Sequence, residues 1–147
     1  MSITLDELLS SWETDSVMDK TMVTTELLKT TQLHAKYLGY YVFFKAKLSA
    51  TEKKYNTLAW TKRKYYRGEF DQGDLKKFGW SQWQGLKPSV SELSQLLDMD
   101  KDMNELKEMI NGYKTSVTTT EYILKEISGR SWILKTLVEY EKFQAGL

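Results

Sequence analysis

The residues of this chain best equipped for chemistry are cations interleaved with aromatic rings. Lys53, Trp60, Lys64 and Arg67 follow one another at steps of seven, four and three, so on a helix they share one face. Lys54, Lys62 and Arg63 add charge beside them, and Lys76 and Lys77 come shortly after, next to Phe78, Trp80 and Trp83. Cations of this kind track phosphates, and flat rings stack on exposed bases at about 1–3 kcal/mol per base. The pattern therefore predicts a surface for single-stranded nucleic acid. No run of Asn, Gln or Arg stands out as a recognition helix for duplex base edges. A second reading of the tryptophans is a small apolar cluster that packs their loop onto the helices.

The charge distribution supports the same middle region. The net charge is +1, but it is unevenly placed. Residues 1–35 carry −4, residues 36–87 carry +8 and residues 88–147 carry −3. A basic middle between acidic flanks suits a polyanion, because Lys and Arg release counterions from phosphates. The alternative is a solvated basic face that meets acidic protein, either in this chain or in a partner.

Other chemistries are poorly supplied. There is no cysteine, which excludes disulfides, thiol nucleophiles and Fe–S clusters, and the single histidine, His34, cannot build a Cys/His zinc site. His34 reads as a helical packing residue. No glycine-rich phosphate loop and no GxSxG occur. The run Asp98-Met99-Asp100-Lys101-Asp102 resembles the start of a calcium loop, but Met103 and Met109 stand where Gly and Glu are required. It reads as acids capping a helix. The expectation is a non-enzyme with no metal and no cofactor. The longest apolar run, Leu38 to Phe44, is seven residues, against roughly 20 for a membrane span. The N-terminus lacks the basic and apolar regions of a signal peptide. The composition suggests a soluble, intracellular type of protein.

The elements that must hold these residues are helical. Thr4 with Glu7, flanked by Ile3 and Leu8, forms a capping box and staple for a helix beginning at Leu5, with a turn over 13–19. A helix is predicted over 20–38, with apolar residues at 23, 27, 28, 35 and 38 and Gly39 beyond its end. A second runs over 41–67, with Phe44, Leu48, Tyr55, Leu58, Ala59 and Tyr66 on one stripe and Gly68 after it. Together they would make a helical hairpin. Residues 68–88 hold four of the eight glycines and the only proline and read as an irregular loop with a short β-ribbon. A short helix over 91–97 follows. Met103, Leu106, Ile110, Tyr113, Val117, Thr120, Leu124 and Ile127 then alternate steps of three and four, a coiled-coil pattern. Ser128-Gly129 is expected to interrupt it, with Ser131 capping a short terminal helix.

That last helix carries Trp132, Leu134, Leu137 and Val138 among further apolar residues and is apolar over more than half its circumference. One face in a small domain needs only a stripe of about 100°. The surplus, continued from Leu124 and Ile127, predicts assembly with further copies of the chain. The alternative is a helix buried at the centre of its own bundle. The organisation expected is a mainly α fold forming one compact unit, with a single-strand-binding region over 1–90 and an oligomerisation region over 91–147.

The ordered residues Ser91-Glu92, Leu97-x-x-Asp100-Lys101-Asp102, Leu124, Ile127, Arg130, Lys135 and Phe143-x-Ala145-Gly146 resemble the UvsY family of phage recombination mediators. Upstream, Tyr65-Tyr66-x-Gly68 after a basic helix is similar to the family's middle, so the resemblance covers about two thirds of the chain. It implies a helical, non-catalytic protein in the cytoplasm of an infected bacterium, assembled as a ring-like homo-oligomer through its C-terminal helices. It also implies binding to single-stranded DNA and help to the phage recombinase in displacing the single-strand-binding protein. The family's DNA-contacting motif, Lys-Ala-Arg-Leu before Asp-Tyr-Tyr, becomes Trp60-Thr61-Lys62-Arg63 here, so Lys62 takes the arginine position and Trp60 the lysine position. The competing function is a helical adaptor whose basic face binds an acidic protein.

Overall fold

The computed structural model describes residues 2–147. The described residues form five α-helices and no strand: α1 (Leu5–Asp15), α2 (Val23–Tyr66), α3 (Gln72–Phe78), α4 (Val90–Met99) and α5 (Lys101–Gln144). No helix among them is long and apolar enough to cross a membrane.

Local signals at the helix starts act as written. Thr4 accepts from the Glu7 N–H at 3.2 Å, while the Glu7 carboxylate accepts from the Thr4 N–H. The same box recurs at Asp71 with Asp74 and at Ser89 with Glu92. Asp100 accepts from the Met103 N–H at 3.0 Å and opens α5, so the acidic run caps a helix at Asp100. Gly68 has φ 75° and closes α2: its N–H reaches the Tyr65 carbonyl and that of Glu69 the Lys64 carbonyl, a left-handed cap that suits glycine.

Four expectations are corrected. The hairpin over 20–38 and 41–67 is one helix, α2, which runs through Gly39. The short terminal helix is part of α5, which runs through Ser128 and Gly129. A glycine inside a helix costs only about 1 kcal/mol, and buried residues on both sides of each glycine hold the helix in place. Ser128 turns its hydroxyl back to the Leu124 carbonyl at 3.0 Å, and Ser131, the expected cap, lies inside the same helix. The loop over 68–88 has no β-ribbon; its centre is the capped helix α3. The expected turn over 13–19 starts late, because α1 continues to Asp15.

The chain divides into two compact units, each drawing on both long helices. One unit is the chain up to Lys47 with Gly112–Leu147; the other is Leu48–Asn111. In the first, Leu8, Leu33, Tyr37, Phe44, Ile123, Ile127 and Leu134 are buried. The Tyr37 hydroxyl donates to Asp15 at 2.9 Å, and Lys36 pairs with the same carboxylate at 2.7 Å. Arg130 meets Glu26 at 2.7 Å, both buried, and its Nε donates to Thr30. The apolar set 23, 27, 28, 35 and 38 is not the core face of α2. Leu28 is 70% exposed, Leu27 and Leu38 are also open, and His34 is exposed instead of packed. Large aromatic residues at 37 and 44 bury more surface than that set and turn it outward.

The C-terminal stretch of α5 has two faces. Ile127 and Leu134 are each 1% exposed and belong to the chain's own core, and Leu124, Leu137 and Val138 are half-buried. For Ile127 and Leu134, then, burial within the chain is the outcome. Trp132, Ile133, Tyr140 and Phe143 lie on the opposite face and are exposed. The excess apolar surface read from the sequence is this outer stripe, of which Trp132 alone was among the six residues expected to drive assembly.

Candidate nucleic-acid interface

In the second unit, Ala59 and Tyr66 of α2 pack against Leu93 and Leu97 of α4 and Met103 of α5. That contact fixes which way α2 faces. At about 100° per residue, Lys53, Asn56, Trp60, Arg63, Lys64 and Arg67 fall within one sector of about 100°, turned away from the core. All six are exposed, Trp60 by 61%. Lys64 lies 5.3 Å from the Trp60 ring centre, a cation–π contact. Lys54 is exposed at the sector's flank. Among the described residues, none of Lys53, Lys54, Arg63, Lys64 and Arg67 is held in an ion pair. Free, exposed cations beside an exposed indole are what a phosphate backbone with unstacked bases requires.

Lys62 does not join them. It lies two positions from Trp60, about 200° round the helix, and points inward. Its ammonium pairs with Asp100 at 3.1 Å and Asp102 at 3.0 Å and sits 4.0 Å from the centre of the Trp80 ring. Only 6% of the residue is exposed. The Tyr66 hydroxyl donates to the same Asp100 carboxylate at 2.6 Å. Burial works to push Asp100 up, but its bonds from Tyr66, the Met103 N–H and Lys62 outweigh that and hold it below the usual carboxylate range. Burial, then the bond to Asp100, push the Tyr66 phenol up. Lys62 thus ties α2 to the start of α5, and its charge is already neutralised.

The loop tryptophans are also engaged. Trp80 stacks with Phe70 and Phe78 at 5.6 and 4.8 Å, and Tyr65 meets Trp80 edge-on at 5.2 Å. The Tyr65 hydroxyl donates to the Ser81 carbonyl. Trp83 stands edge-on to Tyr66 at 4.9 Å and packs against the core. The packing alternative therefore describes Trp80 and Trp83. Phe78 keeps an open face, 39% exposed, with the Lys77 ammonium 5.4 Å from its centre. Lys76 and Lys77 are exposed on α3.

Gly85 completes the Trp83 seat. A Cβ at Gly85 would fall 2.4 Å from the indole ring, inside contact distance. Gly85→Ala is expected to push Trp83 off Tyr66 and cost about 1–3 kcal/mol, as overpacked cores do. Urea unfolding checks it, and an unchanged midpoint would show that the loop yields freely.

Two cavities open beside the exposed face of α2. One, about 500 Å³, lies among Tyr55, Asn56, Trp60, Leu97 and Asp98; the other, about 320 Å³, among Arg67, Pro88, Ser89 and Val90. Both are lined by Arg63, Ser94 and Leu97 and therefore form one trough between α2 and α4. A third, about 280 Å³, lies between Trp60, Lys64, Phe70 and Phe78. Sequence reasoning missed Asn56 and Ser94 as lining groups. Asn56, four residues before Trp60 on the same face, was the one signal available.

Residues 11–147 match the family described as "Recombination, repair and ssDNA binding protein UvsY". No curated protein sequence matches. Crystal structures of the bacteriophage T4 recombination mediator protein UvsY share the fold. One superposes with a TM-score of 0.84 at 19% identity, covering 98% of this chain and 99% of that one. Two other lattice forms give 0.80 at 17% identity, covering 97% and 99%, and 0.82 at 18%, covering 93% and 98%. The family match spans the exposed cation face, the capped α4 and the whole of α5, and on that ground this chain belongs to the UvsY family of recombination, repair and single-stranded-DNA-binding proteins.

Proposed function

We propose that the chain is a phage recombination mediator. It binds single-stranded DNA along the exposed α2 face and promotes loading of the phage recombinase onto strands covered by the single-strand-binding protein. It does so without catalysis, in the cytoplasm of the infected host, during recombination, repair and recombination-dependent replication. The observation that carries this reading is the row Lys53, Trp60, Arg63, Lys64 and Arg67, exposed and free of acidic partners among the described residues. Phosphate contacts and stacking carry no base code in themselves and favour a strand whose bases are unpaired. Anisotropy of labelled oligonucleotides at about 0.15 M salt tests it against the acidic-protein adaptor. Single strands are expected to bind more tightly than duplex. Equal affinity for both, or no binding to either, overturns the reading.

Action as a homo-oligomer is the second element of the proposal. Each subunit supplies only a few cations, and multivalency raises affinity where subunits are linked. The outer stripe of α5, with Trp132 70% and Phe143 79% exposed, is the apolar surface that supports it. Trp132→Glu with Phe143→Glu is expected to lower the mass measured by light scattering while leaving the helix content intact. The parent mass in this variant would move the assembly surface elsewhere.

A further inference from the structure

The trough between α2 and α4 contains an acid where a phosphate path would call for bases. Asp98 lines its wider end with Asn56, Trp60 and Arg63, and Arg63 continues with Arg67 along the narrower end. Asp98 is exposed and makes no ion pair or hydrogen bond among the described residues; it is Asp100 that caps α5. Its carboxylate repels a phosphate and can only accept hydrogen bonds. The wider end is about 500 Å³, within the range of small-ligand sites, and Trp60 offers it an open ring face.

From this we infer that the trough seats one unstacked base of the bound strand against Trp60, with guanine preferred, while the neighbouring phosphates lie at Arg63 and Arg67. The inference rests on the single-strand reading above. The preference follows from edge chemistry. Guanine presents two adjacent donors, the ring N1–H and the 2-amino group, which match the two oxygens of a carboxylate. Adenine and cytosine each place an amine beside an acceptor nitrogen. Thymine places its one N–H between two carbonyls, which the carboxylate repels. The trough therefore adds a modest base preference to a site whose cations are indifferent to sequence.

The test uses three labelled thymidine oligomers: one unmodified, one with every third base replaced by guanine, and one with hypoxanthine at the same places. Hypoxanthine keeps N1–H and lacks the 2-amino group. Affinities are measured for the full chain and for Asp98→Asn. The guanine oligomer is expected to bind at least about fivefold tighter than the other two, the low end for a bidentate contact. Asp98→Asn is expected to abolish that gap while binding the thymidine oligomer as tightly or more tightly. Equal affinities for the three oligomers, or a gap that survives Asp98→Asn, overturns the inference. Failure of the parent protein to bind any of the three would instead overturn the single-strand reading.

Discussion

Replacing Lys62 by Met is expected to unfold the second unit more readily and to leave the salt dependence of DNA binding unchanged. The substitution strands Asp100, buried with Tyr66 and the Met103 N–H as its remaining partners. Breaking a buried pair by removing one member costs about 3–5 kcal/mol. Asp102, half exposed, adds less. Arg63→Ala, Lys64→Ala and Arg67→Ala together should do the opposite. These side chains are exposed and unpaired among the described residues, so stability should hold. The plot of log affinity against log salt should flatten by about 2, at roughly 0.7 for each single-strand phosphate contact. Urea unfolding and anisotropy across a salt series separate the two variants. A Lys62→Met protein of parental stability, or a triple variant of parental slope, would contradict the assignment. The acid side gives a further check. Asp100 titrates below its unfolded value, so its contribution is complete above about pH 4 and is lost as pH falls through the lower folded value. Asp100→Asn should remove that share of the acid sensitivity.

The second large effect lies in the first unit. Arg130→Met leaves Glu26 buried and unpaired and is expected to cost about 3–5 kcal/mol. Glu26→Leu alone leaves the guanidinium buried and should cost a similar amount. The double variant should recover most of the loss, because an apolar pair of similar volume removes two desolvation penalties at once. Chemical unfolding of the two single variants and the double variant completes the cycle. Additive losses in the double variant would show that the two charges do not depend on each other.

Local chemistry was legible in the sequence. The capping box at Thr4, the acids that open α5 and the glycine that closes α2 at Gly68 need only a few neighbouring residues, so their spacing is enough to identify them. The core faces of α5 and of the second half of α2 were legible for the same kind of reason. Period and hydrophobicity agree there, and Met103, Ile110, Val117, Ala59 and Tyr66 are buried as their spacing predicts. The exposed face of α2 that carries Lys53, Trp60, Lys64 and Arg67 was read from its steps of seven, four and three.

Other features depended on contacts between distant residues. Whether Gly39 and Gly129 end a helix is a contest between about 1 kcal/mol of propensity and the packing on either side, and packing won. Which of two apolar sets on the first half of α2 faces inward depended on what met it, and Tyr37 and Phe44 displaced Leu28 and Leu38. Lys62 is the sharpest case. Its neighbours in sequence, Arg63 and Lys64, make it look like one more phosphate contact. Its partners Asp100 and Asp102 lie about forty residues away, and only the fold brings them within 3.1 Å. Charge in a sequence is a sum over neighbours along the chain. Whether a charge is free to bind depends on neighbours in space, and that was decided by the tertiary structure.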